Sequence, residues 1–190
     1  MKGLLTVLLL GLQISAYGQQ LSQQAQKLKQ AYEALQQQPH APILQLRYVH
    51  TFPGNKVDFI EVFDAHTQDQ LAGKSVDYVK KFRKLGYDYI DSVLPKSIAI
   101  GKDLPTWSEG AVDELQKTIY YLTNKNPQMF VDIVRSLKKE EQESLAVFLH
   151  AGEGGKQNEN YMVLVDMFNK ADKKLYKIFY AQVVQPERRL

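Results

Sequence analysis

The residues best suited to chemistry lie in one glycine-rich stretch, His150-Ala151-Gly152-Glu153-Gly154-Gly155-Lys156. Glycines let a backbone approach a ligand closely, while the side chains of His150, Glu153 and Lys156 can supply acid–base or charge contacts. The stretch is not a P-loop, because Gln157 stands where that motif requires serine or threonine. We interpret it mainly as a helix end followed by a connector, with a binding loop as the alternative.

Trp107, the only tryptophan in the sequence, is a further candidate for ligand contact. It follows Pro105 at a predicted helix start, where an aromatic ring either packs the helix onto the core or lines a cleft. The candidate binding residues are therefore Trp107, His150 and Glu153, and core packing is the alternative for Trp107.

The common signatures of catalysis and metal binding are missing from the sequence. The chain has no cysteine, which excludes disulfides, thiol nucleophiles and cysteine-ligated metals. No two of its four histidines have the i, i+4 spacing that places two imidazoles on one helix face; they are His40, His50, His66 and His150. Neither a His-Glu-x-x-His nor a Gly-x-Ser-x-Gly motif occurs. We therefore predict no metal and no cofactor, and we favour a non-enzymatic function.

The N-terminus has the layout of a secretory signal peptide. Lys2 precedes an apolar run over residues 4–12, and small residues lie three and one positions before a cleavage site after Gly18. The run is too short for a membrane-spanning helix, which needs about 20 apolar residues. We expect residues 1–18 to be removed and residues 19–190 to form a single helical domain in the periplasm or outside the cell, without a stable membrane anchor.

The charge balance says little about a partner. Cleavage after Gly18 removes Lys2 and no acidic residue, so the formal net charge falls from +3 to +2. The densest basic run, residues 80–84, is typical of a solvated helix face. Nucleic-acid binding needs basic residues clustered on one face, often with aromatic residues between them, so we predict no nucleic-acid partner.

Apolar residues recur at helical spacing along most of the chain, for example over residues 21–35 and 75–85. Gly86 is predicted to end the second of these helices in a left-handed conformation. We predict an all-α fold, a compact bundle of about six to eight short helices. The alternative is an α+β fold with a C-terminal β-hairpin at about 161–184, because this region fits strands almost as well.

Three segments in the middle of the chain carry a resemblance to known proteins: Phe52-Pro53-Gly54-Asn55, Asp58-Phe59-Ile60-Glu61-Val62-Phe63, and Ile98-Ala99-Ile100-Gly101-Lys102. Over about residues 45–150, the chain resembles an uncharacterised family of short exported bacterial helical proteins. It departs from that pattern where Asp-Leu-Pro-Thr-Trp is inserted ahead of Gly110. The resemblance implies helices and an extracytoplasmic location, and it implies no activity and no functional residues.

Eleven tyrosines, including Tyr87-Asp88-Tyr89 and Tyr120-Tyr121, can provide a contact surface that is both apolar and polar. The sequence therefore favours an exported soluble helical protein that binds a partner, with another protein as the expected partner. One alternative is a cell-envelope hydrolase with a site near His150 and Glu153. Another is an inhibitor or immunity-type partner of a secreted enzyme.

Overall fold

Ten α-helices and one short 3-10 helix, with no strand, make up the described part of this computed structural model, residues 21–63, 71–104, 110–151 and 159–184. The 3-10 helix spans Ala72–Lys74. In chain order the α-helices are α1 (Gln23–Gln37), α2 (Pro42–Thr51), α3 (Lys56–Phe63), α4 (Ser75–Leu85), α5 (Ile90–Gly101), α6 (Ala111–Lys125), α7 (Pro127–Ser136), α8 (Lys139–His150), α9 (Glu159–Ala171) and α10 (Lys173–Val184). The predicted all-α fold is confirmed.

Two details differ from the expectation. The β-hairpin considered for residues 161–184 is wrong, because these residues form α9 and α10. Asp172, in the connection, accepts hydrogen bonds from the first backbone N–H groups of α10 and so favours a helix start over a turn between strands. The described residues alone form ten helices rather than six to eight, because segments of ambiguous period such as residues 43–52 form separate helices.

Side-chain caps begin several of these helices. Ser22 caps α1 and Asn126 caps α7, each by accepting a hydrogen bond from a backbone N–H of the first turn. Pro127 then occupies the first position of α7. A backbone N–H at this position has no acceptor within the helix, so proline loses no hydrogen bond there. At the other end of a helix, the Lys96 ammonium donates to three backbone carbonyls at the end of α2, at 2.9 to 3.0 Å.

Gly86 ends α4 for a reason other than the predicted one. Its φ is −60°, so the residue is right-handed and not left-handed. A Cβ atom at this position would lie 2.8 Å from Cδ2 of Leu122 in α6, which is closer than packed atoms approach. A larger residue at this position would therefore require Leu122 to shift, so glycine suits the close approach of α4 to α6.

Helices α4 and α6 run in the same direction, side by side. Ser75, at the start of α4, lies next to Gly110, which precedes α6, and Gly86 lies next to Leu122 near the opposite end. Gly110 has a φ of +42°, a conformation that glycine adopts without strain. Helix α5 also packs on α6, and α8 packs on α5, so α6 is enclosed on several sides.

The buried apolar side chains form one continuous core cluster. Aromatic rings fill its N-terminal half, where Phe52 and Phe82 stack nearly parallel with centroids 3.7 Å apart. The Tyr48 phenol is buried in the same region and donates a hydrogen bond of 2.8 Å to the carbonyl of Tyr78. Burial raises the pKa of Tyr48, so this phenol keeps its proton and remains a donor.

Several sequence predictions lie outside the described residues. They are the signal peptide at residues 1–18, the glycine-rich stretch beyond Ala151, and Trp107 with its predicted helix start. Within the described ranges, no helix is long and apolar enough to cross a membrane.

Candidate binding surface

His150 is the one predicted binding residue that the structure describes. It lies in the last turn of α8, is half-buried, and its ring meets the ring of Tyr161 edge to face, with centroids 5.0 Å apart. Trp107 and Glu153 lie outside the described residues. The convergence of these three side chains, and with it a hydrolase site, stays a prediction.

Side chains of α6 hold the end of α8 on which His150 lies. Gln116 donates a hydrogen bond of 2.6 Å from Nε2 to the carbonyl of Phe148, and the Tyr120 phenol donates one of 2.6 Å to the carbonyl of Leu149. The last carbonyls of a helix lack partners within the helix. These two bonds therefore satisfy buried acceptors and fix α8 against α6.

The Tyr161 phenol beside His150 has a structural task. It donates a hydrogen bond of 2.8 Å to the carbonyl of Phe179, which joins α9 to α10. Burial raises the pKa of Tyr161, and the nearby Tyr120 phenol adds to that effect. The group therefore stays protonated and remains a hydrogen-bond donor. Among the described residues, no group of three or more His, Cys, Asp or Glu side chains could hold a metal ion.

A second cluster lies on the outer side of α4 and α6. Tyr87, just beyond α4, is 64% exposed, and Tyr121 of α6 is 36% exposed. Their ring centroids are 6.5 Å apart. The ammonium of Lys125 lies 5.1 Å from the centroid of Tyr87 and 5.8 Å from that of Tyr121, in cation–π contact with both. Two exposed aromatic rings from separate segments are thus held together by one cation.

Charged side chains lie along the same two segments. Lys80 and Lys84 of α4 are exposed, as are Asp77 and Asp88, and on α6 the exposed Lys117 precedes Tyr121 by about one helical turn. We define the α4/α6 face by two groups of residues: Lys80 and Lys84 of α4 with Tyr87 just beyond it, and Lys117, Tyr121 and Lys125 of α6.

An ion pair lies beneath the α4/α6 face. Oε2 of Glu114 is 2.9 Å from Nη1 of Arg83, without hydrogen-bond geometry, and Oε1 is 3.5 Å from Nζ of Lys117. The Glu114 side chain is only 8% exposed. A carboxylate this buried needs cationic neighbours, because burial removes the water that would otherwise stabilise its charge. The pair therefore ties the start of α6 to α4.

Helix α10 carries a comparable but smaller group. Tyr176 and Tyr180 stack with centroids 5.2 Å apart, and the Lys173 ammonium lies 5.8 Å from the centroid of Tyr176. Tyr180 is 37% exposed, almost the same fraction as Tyr121. These residues all belong to one helix, so α10 offers a narrow stripe and a matched reference for the α4/α6 face.

Sequence reasoning named Tyr87 and the pair Tyr120-Tyr121 but did not separate their roles. The structure buries Tyr120 against α8 and exposes Tyr121. One feature of the sequence could have distinguished them. Tyr121 and Lys125 follow Lys117 by four and eight residues, a spacing that places all three on one face of a helix. The approach of Tyr87 to Tyr121 had no signal in the sequence, because it depends on how α4 packs on α6.

Known proteins do not identify the role of this surface. No family model, curated protein or solved structure matches the chain. The resemblance over residues 45–150 stays a prediction.

Proposed function

We propose that this chain is an exported, soluble binding protein that receives a protein partner on the α4/α6 face. The observation that carries the proposal is the pairing of Tyr87 and Tyr121, two exposed rings held side by side by Lys125. Tyrosine is enriched at protein interfaces and among the residues that contribute most to binding energy.

The arrangement of the two rings favours binding over simple exposure. A side chain that is already ordered loses less conformational entropy when a partner covers it. The contact with Lys125 restrains both rings before binding. Below them, the close approach of Gly86 to Leu122 fixes the spacing of α4 and α6.

The composition of the face suits contact and not acid–base catalysis. Its two exposed rings are phenols held by an ammonium group, and Glu114, a carboxylate between α4 and α6, is buried and paired with Arg83. An inhibitor or immunity-type protein is one form of this proposal, in which the partner is a secreted enzyme.

Site-specific photocrosslinking tests the proposal. Benzoylphenylalanine replaces Tyr121 in one variant and Tyr180 in another, two tyrosines of nearly equal exposure. Each variant is expressed in its own cells and illuminated. We expect a discrete adduct of one protein from position 121 and none from position 180. A second variant that also carries Tyr87→Ser should lose the adduct at 121 while keeping the thermal midpoint, because Tyr87 is largely solvent-exposed.

Two results would overturn the proposal. One is the absence of a discrete adduct at position 121 under illumination. The other is an equal adduct pattern at positions 121 and 180, since that would show random collision and no preference for the α4/α6 face.

A further inference from the structure

We draw no further inference here: the strongest candidate, the surface patch on α4 and α6 where Lys125 holds the exposed rings of Tyr87 and Tyr121, belongs to the surface already described, and nothing in the structure shows what covers it.

Discussion

Asp172 and Arg135 join two helices through one carboxylate. Oδ2 of Asp172 accepts a hydrogen bond of 2.9 Å from Nε of Arg135 in α7, while Oδ1 accepts from the backbone N–H groups that begin α10. One side chain thus serves as a helix cap and as the acidic member of an ion pair, and the two roles can be separated by substitution.

We expect Asp172→Ala to lower the free energy of unfolding by about 1–2 kcal/mol, because it removes the cap together with the ion pair. Asp172→Asn should lower the free energy of unfolding by less than about 1 kcal/mol, because asparagine also caps helices and only the ion pair with Arg135 is lost. Urea unfolding at neutral pH measures both values. Equal losses in the two variants would contradict the role of Asp172 as a cap.

The same carboxylate gives a pH dependence with a defined sign. The hydrogen bond from Arg135 is the main cause that lowers the pKa of Asp172 below its ordinary value of 3.8. A depressed pKa in the folded state means that the stabilisation is complete above the unfolded value and is lost as pH falls through the folded one. The stability difference between wild type and Asp172→Asn should therefore shrink as pH falls below about 3.8. Acid unfolding curves of both proteins check this, and a constant difference down to pH 2 would refute it.

Gly101 is a position where any side chain meets the core. A Cβ atom there would lie 2.7 Å from Cε1 of Phe148 and 3.3 Å from Cδ1 of Ile119. We expect Gly101→Ala to destabilise the protein by about 1–3 kcal/mol through overpacking. Gly54→Ala is the matched control, since no atom lies within 4 Å of its added Cβ. Thermal unfolding compares them, and similar midpoints in the two variants would show that α5 can move away from α8.

The pair of Arg83 with Glu114 should behave as a buried ion pair. Arg83→Leu leaves the Glu114 carboxylate with Lys117 as its only cationic partner. We expect this change to lower the free energy of unfolding by about 2–3 kcal/mol. The double variant Arg83→Leu, Glu114→Met should recover part of that loss, because it removes the unpaired charge. Chemical unfolding of the single and double variants measures the coupling. A double variant less stable than Arg83→Leu would show that Glu114 stabilises the fold by packing instead of charge.

The helical class was predictable because apolar residues keep a 3.6-residue period in most segments. In α1 the predicted stripe includes Ala25, Leu28 and Leu35, and all three are buried. Residues 43–52 were ambiguous because their period fits a strand as well. Pro53 ends that helix locally by favouring an extended Phe52, whereas the carbonyls at its end are capped by Lys96 from another helix, a contact that leaves no local pattern.

The contacts that build the α4/α6 face were less accessible to sequence reasoning. Gly86 suggested a helix end, yet its purpose depends on Leu122, a residue far away in the chain. Likewise, the basic run around Arg83 suggested only a solvated helix face. Its ion pair with a buried carboxylate requires the parallel packing of α4 on α6, which no single segment encodes.

The burial of α6 has a consequence for the dynamics of the protein. Ten of its fifteen residues are buried, beneath α4, α5 and neighbouring helices. A helix covered in this way opens only when much of the core around it opens, so we expect the amide hydrogens of its buried residues to exchange slowly with solvent. Tyr121 is therefore carried by a helix anchored along most of its length, and its backbone position should persist for as long as the core remains folded.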